Sequence, residues 1–148
     1  MNPVDTTAQA QTDSISFEFD LHHSPEKVWR ALTDPVLLTE WLQPVVDLQL
    51  VPGAAFMFKT QPYPGWDGVV SCRMLEIEAH KKLRYTWVVG GMGLDTVVTF
   101  TLTPTASGTR LSLLQSGFKP EQKQSFGGAR YGWKLMGGKL VDLLAKLP

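Results

Sequence analysis

The stretch "SPEKVWRALTDPVLLTEWL", Ser24 to Leu42, decides how this chain is read, because it sets short helices between one β-like segment and a long run of further strands. Ser24 can accept from the free amides of a helix start, Pro25 fits the first helical position, and Glu26 complements the helix dipole. Val28, Ala31 and Leu32 recur on one side at helical spacing. Asp34-Pro35 ends that helix, since the residue before a proline avoids the α region, and Pro35 opens a second short helix through Trp41.

Before this stretch, "SISFEFDL" alternates Ile15, Phe17, Phe19 and Leu21 with polar residues, which predicts a strand with one buried face. After Pro44 the period is again two. Val46, Leu48 and Leu50 alternate with Asp47 and Gln49, Pro52-Gly53 turns the chain, and Phe56 and Phe58 share a face on the next strand. "PYPGWDG", Pro62 to Gly68, is expected as a loop, followed by strands over Val69 to Glu78, Leu83 to Val89, Thr96 to Thr103 and Arg110 to Gln115. The last segment returns to helical spacing, with Trp133, Met136, Leu140, Leu143, Leu144 and Leu147 on one side. Gly137-Gly138 weakens that helix, by about 1 kcal/mol per glycine. The pair reads either as a flexible spot or as a close approach of the helix to a strand or ligand.

A sheet with one apolar face needs a cover, and an amphipathic helix needs a surface to lie on. The economical solution is an α+β fold: a curved antiparallel sheet of about seven strands wrapped around the C-terminal helix, with the two short helices between strands one and two closing one end.

The bulk numbers agree with one domain. A chain of 148 residues with 43% hydrophobic and 19% charged residues can bury a core of its own. Residues 1–13 read as a flexible tail, without the basic and apolar regions of a secretory signal, and 14–148 as the domain. Fourteen basic and fourteen acidic residues cancel, so nothing global attracts nucleic acid. No apolar run is long enough to span a membrane. The single cysteine, Cys72, excludes an internal disulfide and suits a reducing compartment, so a cytoplasmic monomer or homodimer is expected.

Signs of catalysis are sparse. His22 and His23 are adjacent and point apart, His80 sits in a charged turn, and no H-E-x-x-H, C-x-x-C, P-loop or G-x-G-x-x-G stands in the chain. Hence no metal, no cofactor and no catalytic residue is assigned. Cys72 reads as packing, and Glu76 and Glu78 as solvent-facing. Arg73 has the parity of Leu75 and Ile77, so without a bulge it points at the apolar face, where a ligand anion or an internal acceptor would satisfy it.

Four segments, "SPEKVWRALTDPVLLTEWL", "DGVVSCRMLEIEAHKKLRYTW", "TRLSLLQSGF" and "GWKLMGGKLVDLL", together resemble the heat-shock-protein-90 ATPase activator homologue-like family of the START-like (SRPBCC) superfamily. The resemblance runs from about Ser14 to Leu147 and implies the helix-grip fold. It departs at Gln115, where that family often carries histidine. It also implies a cavity between sheet and C-terminal helix. The candidate lining is Trp41, Phe56, Phe58, Trp66, Arg73, Tyr85, Trp87, Phe100, Trp133, Met136 and Leu140, with Ser24–Leu42 as a movable gate.

The leading expectation is a module that binds a small, mostly hydrophobic ligand, lipid-like or an aromatic metabolite. A cochaperone-like partner of a heat-shock ATPase, implied by the family name, is the first alternative. A cavity-based cyclase or hydrolase is the second, with only Arg73, Tyr85, Asp67 and Asp95 as candidate polar groups.

Overall fold

The computed structural model describes residues 3–7, 13–62 and 66–148. Among them eight strands form one curved antiparallel sheet, β1 (Val4–Asp5), β2 (Ser14–Leu21), β3 (Val45–Val46), β4 (Ala55–Lys59), β5 (Val69–Glu78), β6 (Lys82–Val89), β7 (Leu94–Thr105) and β8 (Gly108–Ser116), in the order β1-β2-β8-β7-β6-β5-β4-β3. The helices are α1 (Pro25–Thr33) and α2 (Pro35–Trp41), between β2 and β3, and the long α3 (Lys123–Lys146). This is the helix-grip architecture.

The local chemistry of Ser24 to Leu42 is as its sequence implies. Ser24 Oγ accepts from the Lys27 amide at 3.2 Å. Asp34 serves both helices: its amide donates to the Arg30 carbonyl and closes α1, while its carboxylate accepts from the Val36 amide at 2.9 Å and opens α2. Trp41 Nε1 then donates to the Ala31 carbonyl at 2.8 Å, which locks the corner between the two helices.

Three elements depart from expectation. The alternation Val46–Leu50 does not continue as a strand, because Asp47 has φ +62° and turns the chain out of the ladder after Val46. In β5, Met74 pairs with Tyr85 but Glu76 with Arg84, so Leu75 is an extra residue in a bulge. That bulge reverses the parity: Val70, Cys72 and Met74 face the core, whereas Arg73 lies on the outer face. Finally, Val4–Asp5, within the segment expected as a tail, pair with Phe17 and Glu18 as an edge strand. Asp5 also joins Arg130 of α3 in an ion pair. Burial acts against its charge, but the bonds from Arg130 and the Thr7 amide leave the Asp5 carboxyl below its ordinary pKa. The rest of the expected tail, residues 1, 2 and 8–12, falls outside the described residues.

A single core fills the space between the concave face of the sheet and α3. Its centre is a chain of rings. Trp41 meets Phe100 at 6.4 Å between centroids, Phe100 meets Trp133 at 6.2 Å, Trp133 meets Trp87 at 5.4 Å, and Trp87 meets Phe58 at 5.4 Å. Leu140, Leu143 and Leu144 bury the second half of α3.

Of the two readings of Gly137-Gly138, close approach applies to the first glycine. A Cβ at Gly137 would stand 2.9 Å from two ring atoms of Phe19 on β2, while Gly138 faces open space. Gly137→Leu is therefore expected to cost about 2–3 kcal/mol through overpacking, and Gly138→Ala to add about 0.5–1 kcal/mol. Chemical denaturation of the two variants beside the parent chain checks both signs.

Candidate functional site

Helix α3 does not cover the sheet evenly. Its second half carries leucines, but the face of its first half presents Ser125, Gly128, Ala129 and Gly132, residues with little or no side chain. Where apolar bulk would have filled the gap, a cavity of about 730 Å³ remains. Its size falls within the roughly 300–1,000 Å³ usual for small-ligand sites. Val70, Trp87, Val89 and Leu94 form its floor on β5, β6 and β7, all buried. Trp133, Met136, Trp66, Gln43 and Gln124 complete its wall. The 3-10 turn Gly90–Met92 and the edge-to-face pair Phe118–Phe126 (5.2 Å) bring β7 and the start of α3 into place at this end.

A line of hydrogen bonds crosses the cavity floor. Trp133 Nε1 donates to Gln115 Oε1 at 2.7 Å, Gln115 Nε2 donates to Thr96 Oγ1 at 3.0 Å, and Thr96 Oγ1 donates to the Trp87 carbonyl at 2.8 Å. Every link has a single consistent donor, so the Gln115 amide has only one orientation. Gln115 and Thr96 are each 1% exposed. The departure from histidine therefore falls at the polar centre of the cavity.

Of the residues expected to line a cavity, Trp66, Trp87, Trp133 and Met136 do so. Trp41, Phe58, Tyr85, Phe100 and Leu140 are instead packed in the core, where the rings fill the space against one another, and Phe56, also buried there, borders a separate hollow with Arg73. Arg73 is turned away by the bulge; its Nη1 donates to the Gly53 carbonyl at 2.7 Å on the outer face. Helices α1 and α2 do not reach the cavity, so the expected gate segment meets it only through the following residue, Gln43. The sequence does not mark Gln43, Gln124 or the small residues of α3 as lining, and it marks Gln115 only as a departure from the resembled family. The signal was present: Gln124, Gly128, Gly132 and Met136 recur every four residues, an interrupted apolar stripe on the face that should meet the sheet.

No catalytic constellation assembles from the candidate polar groups. Asp67 is exposed and accepts from the Val69 amide, Asp95 is exposed on β7, and Tyr85 lies against Phe56 at 5.1 Å. Burial pushes the Tyr85 hydroxyl well above its ordinary pKa, with nearby Cys72 adding to the effect, and burial alone pushes the Cys72 thiol up. His23 is held below its ordinary value by burial and by Lys27, whose Nζ lies 3.1 Å from its Nδ1, remote from the cavity lining. Among the described residues, no group of three or more His, Cys, Asp or Glu could hold a metal.

A curved sheet gripping a long helix around a partly open apolar cavity defines a helix-grip protein. The Activator of Hsp90 ATPase homolog 1-like protein family matches residues 22–145, and the chain belongs to that family. Among solved structures it is similar to protein MLL2253 from Mesorhizobium loti, with 41% identity, a TM-score of 0.84, and coverage of 91% of this chain and 98% of that one. Protein CV1439 from Chromobacterium violaceum shares 27% identity at a TM-score of 0.72, over 89% of this chain and 96% of its own. DynU16, a protein of the dynemicin biosynthetic locus, shares the fold at 22% identity and a TM-score of 0.78, over 92% of this chain and 48% of its own. No curated protein matches the sequence. Among the described residues no helix is long and apolar enough to cross a membrane.

Two outcomes follow from the buried polar and acidic groups. Gln115→Leu strips Trp133 Nε1 of its acceptor and is expected to cost about 2 kcal/mol in urea denaturation. The Cys72 thiol should resist a disulfide reagent at pH 8 in the native protein and react on unfolding. Because its folded pKa is raised, its stabilising contribution is complete below the ordinary thiol value of about 8.5 and declines as the pH rises past it, where only the unfolded chain ionises. Denaturation midpoints compared between pH 7 and pH 10 for the parent and Cys72→Ala would show the difference.

Proposed function

We infer that the chain binds a small, mostly hydrophobic ligand in the cavity between the sheet and the first half of α3. The observation that carries this reading is the glycine- and alanine-lined face of α3 opposite a floor of Val70, Trp87, Val89 and Leu94. Five glycines in one helix lower its intrinsic stability. Gly128 is not forced by crowding, since a Cβ there meets nothing within 4 Å, and at Gly132 it meets only the end of Met136 at 3.8 Å. Small residues at those two places keep volume open rather than relieve a clash. The cochaperone and enzyme readings have no comparable group of residues behind them, and the four polar candidates for chemistry are scattered.

Gly128→Leu and Gly132→Leu each fill the cavity while improving helix propensity. Binding of the neutral fluorescent probe N-phenyl-1-naphthylamine is expected to fall by about tenfold or more in each. The melting temperature should hold or rise by a few degrees, at about 0.5–1 kcal/mol. Undiminished binding in both variants would place the probe elsewhere on the molecule and remove the basis for this reading.

A further inference from the structure

We propose that the outward face of α3, around Tyr131 and Leu135, docks the protein on an anionic lipid surface. The docking rests on this face alone and goes beyond the ligand-binding reading above.

Helix α3 buries Trp133, Gly137, Leu140, Leu143 and Leu144 against the sheet. On its opposite side Tyr131 is 65% exposed and Leu135 51% exposed. The two stand one turn apart, about 6 Å along the axis, and form a single ridge. At 100° per residue Gly127 and Gly138 fall on the same line, where their lack of side chain lets the ridge stand clear. Two apolar side chains are too few for the core of a stable protein interface, which covers about 800 Å² on each partner around several anchors. They suffice for shallow entry at a bilayer's headgroup boundary, a position that tyrosine favours.

The charge around the ridge defines the surface that it fits. Helix α3 carries Lys123, Arg130, Lys134, Lys139 and Lys146 against Asp142 alone, in a chain whose fourteen basic and fourteen acidic residues cancel. All five basic residues are exposed. Helical spacing sets Lys123, Arg130 and Lys134 along one flank of the ridge and Lys139 and Lys146 along the other, while Asp142 lies two turns beyond Leu135. Arg130 is held by Asp5, but among the described residues no carboxylate pairs with Lys123, Lys134 or Lys139. A helix with an apolar centre and lysines along both edges lies in the plane of a membrane surface. Its apolar side chains enter the boundary while the lysine stems reach the phosphates, and each lysine adds attraction only where the lipid is anionic.

The cavity comes to the surface beside this face. Gln124 and Gly128 line it and are both exposed, and Gly128 lies one turn before Tyr131. A protein seated on the ridge turns that side of its cavity toward the bilayer.

Co-sedimentation of the full chain at pH 7 with vesicles of phosphatidylcholine, alone or mixed with phosphatidylserine, tests the docking. Binding is expected to be at least tenfold tighter on the mixed vesicles and to weaken as salt is raised. Lys134→Gln and Lys139→Gln should each lower it by about fivefold. Tyr131→Ser combined with Leu135→Ser should lower it by about tenfold or more. All four side chains are exposed, so the circular dichroism of each variant should match the parent. Arg84→Gln, on the outer face of the sheet, should leave binding unchanged within about twofold. Equal binding to the two kinds of vesicle, or binding to neither, overturns the proposal. So does undiminished binding in the folded chain carrying both Lys134→Gln and Lys139→Gln. A soluble polyglutamate that binds as tightly as the mixed vesicles assigns the face to an acidic protein and also overturns it. None of these outcomes bears on the cavity, which the neutral fluorescent probe tests separately.

Discussion

The hydrogen bond from Trp133 to Gln115 is the constraint on which the cavity depends. It joins α3 to β8, and through Thr96 and the Trp87 carbonyl it continues across β7 to β6. Helix and sheet are thus tied at one point by a directional contact between two buried side chains. Apart from the exposed Arg130–Asp5 pair at the sheet edge, they meet elsewhere through apolar packing, which fixes distance but not direction. On one side of this point, leucines and aromatic rings fill the interior. On the other, small residues leave it open. A cavity with a defined floor needs such a boundary, because an unsupported helix would settle onto the sheet and close the space.

Much of the fold was legible because its determinants are local. Ser24, Pro25 and Asp34-Pro35 set the two short helices through caps and backbone geometry. The period-two runs of β2, β4, β6, β7 and β8 follow from having one face against a core. The failures were also local in origin, but of a kind that alternation does not record. At Asp47 a left-handed backbone ended a strand whose pattern ran on. At Leu75 one extra residue exchanged the faces of β5 and put Arg73 outside. The apolar spacing of α3 is legible only from Trp133 on, because Gly127, Gly128 and Gly132 conceal the ten residues of helix from Lys123 to Gly132.

The site was harder to read than the fold for a related reason. Aromatic residues suggest a cavity, but a large ring fills space as readily as it lines it. Trp41 and Phe100 do the first, Trp66 and Trp87 the second. What distinguishes the two ends is the residue opposite, on α3: leucine over the packed end, glycine over the open one. An empty volume is specified by what is missing from the sequence. Gln115 stands out in the sequence only as a departure from the resembled family, and nothing there joins it to Gln43 and Gln124, because only the tertiary fold brings the three together.

Gln115 has a consequence for the conditions under which the tie holds. A neutral imidazole at this position could accept from Trp133 with one ring nitrogen and donate to Thr96 with the other. Once protonated it would carry two N–H groups and no acceptor, so the bond to Trp133 would fail as the medium became acidic. A carboxamide does not titrate. The buried tie between Trp133 and Gln115 therefore contains no group that a change of acidity over the physiological range could switch off.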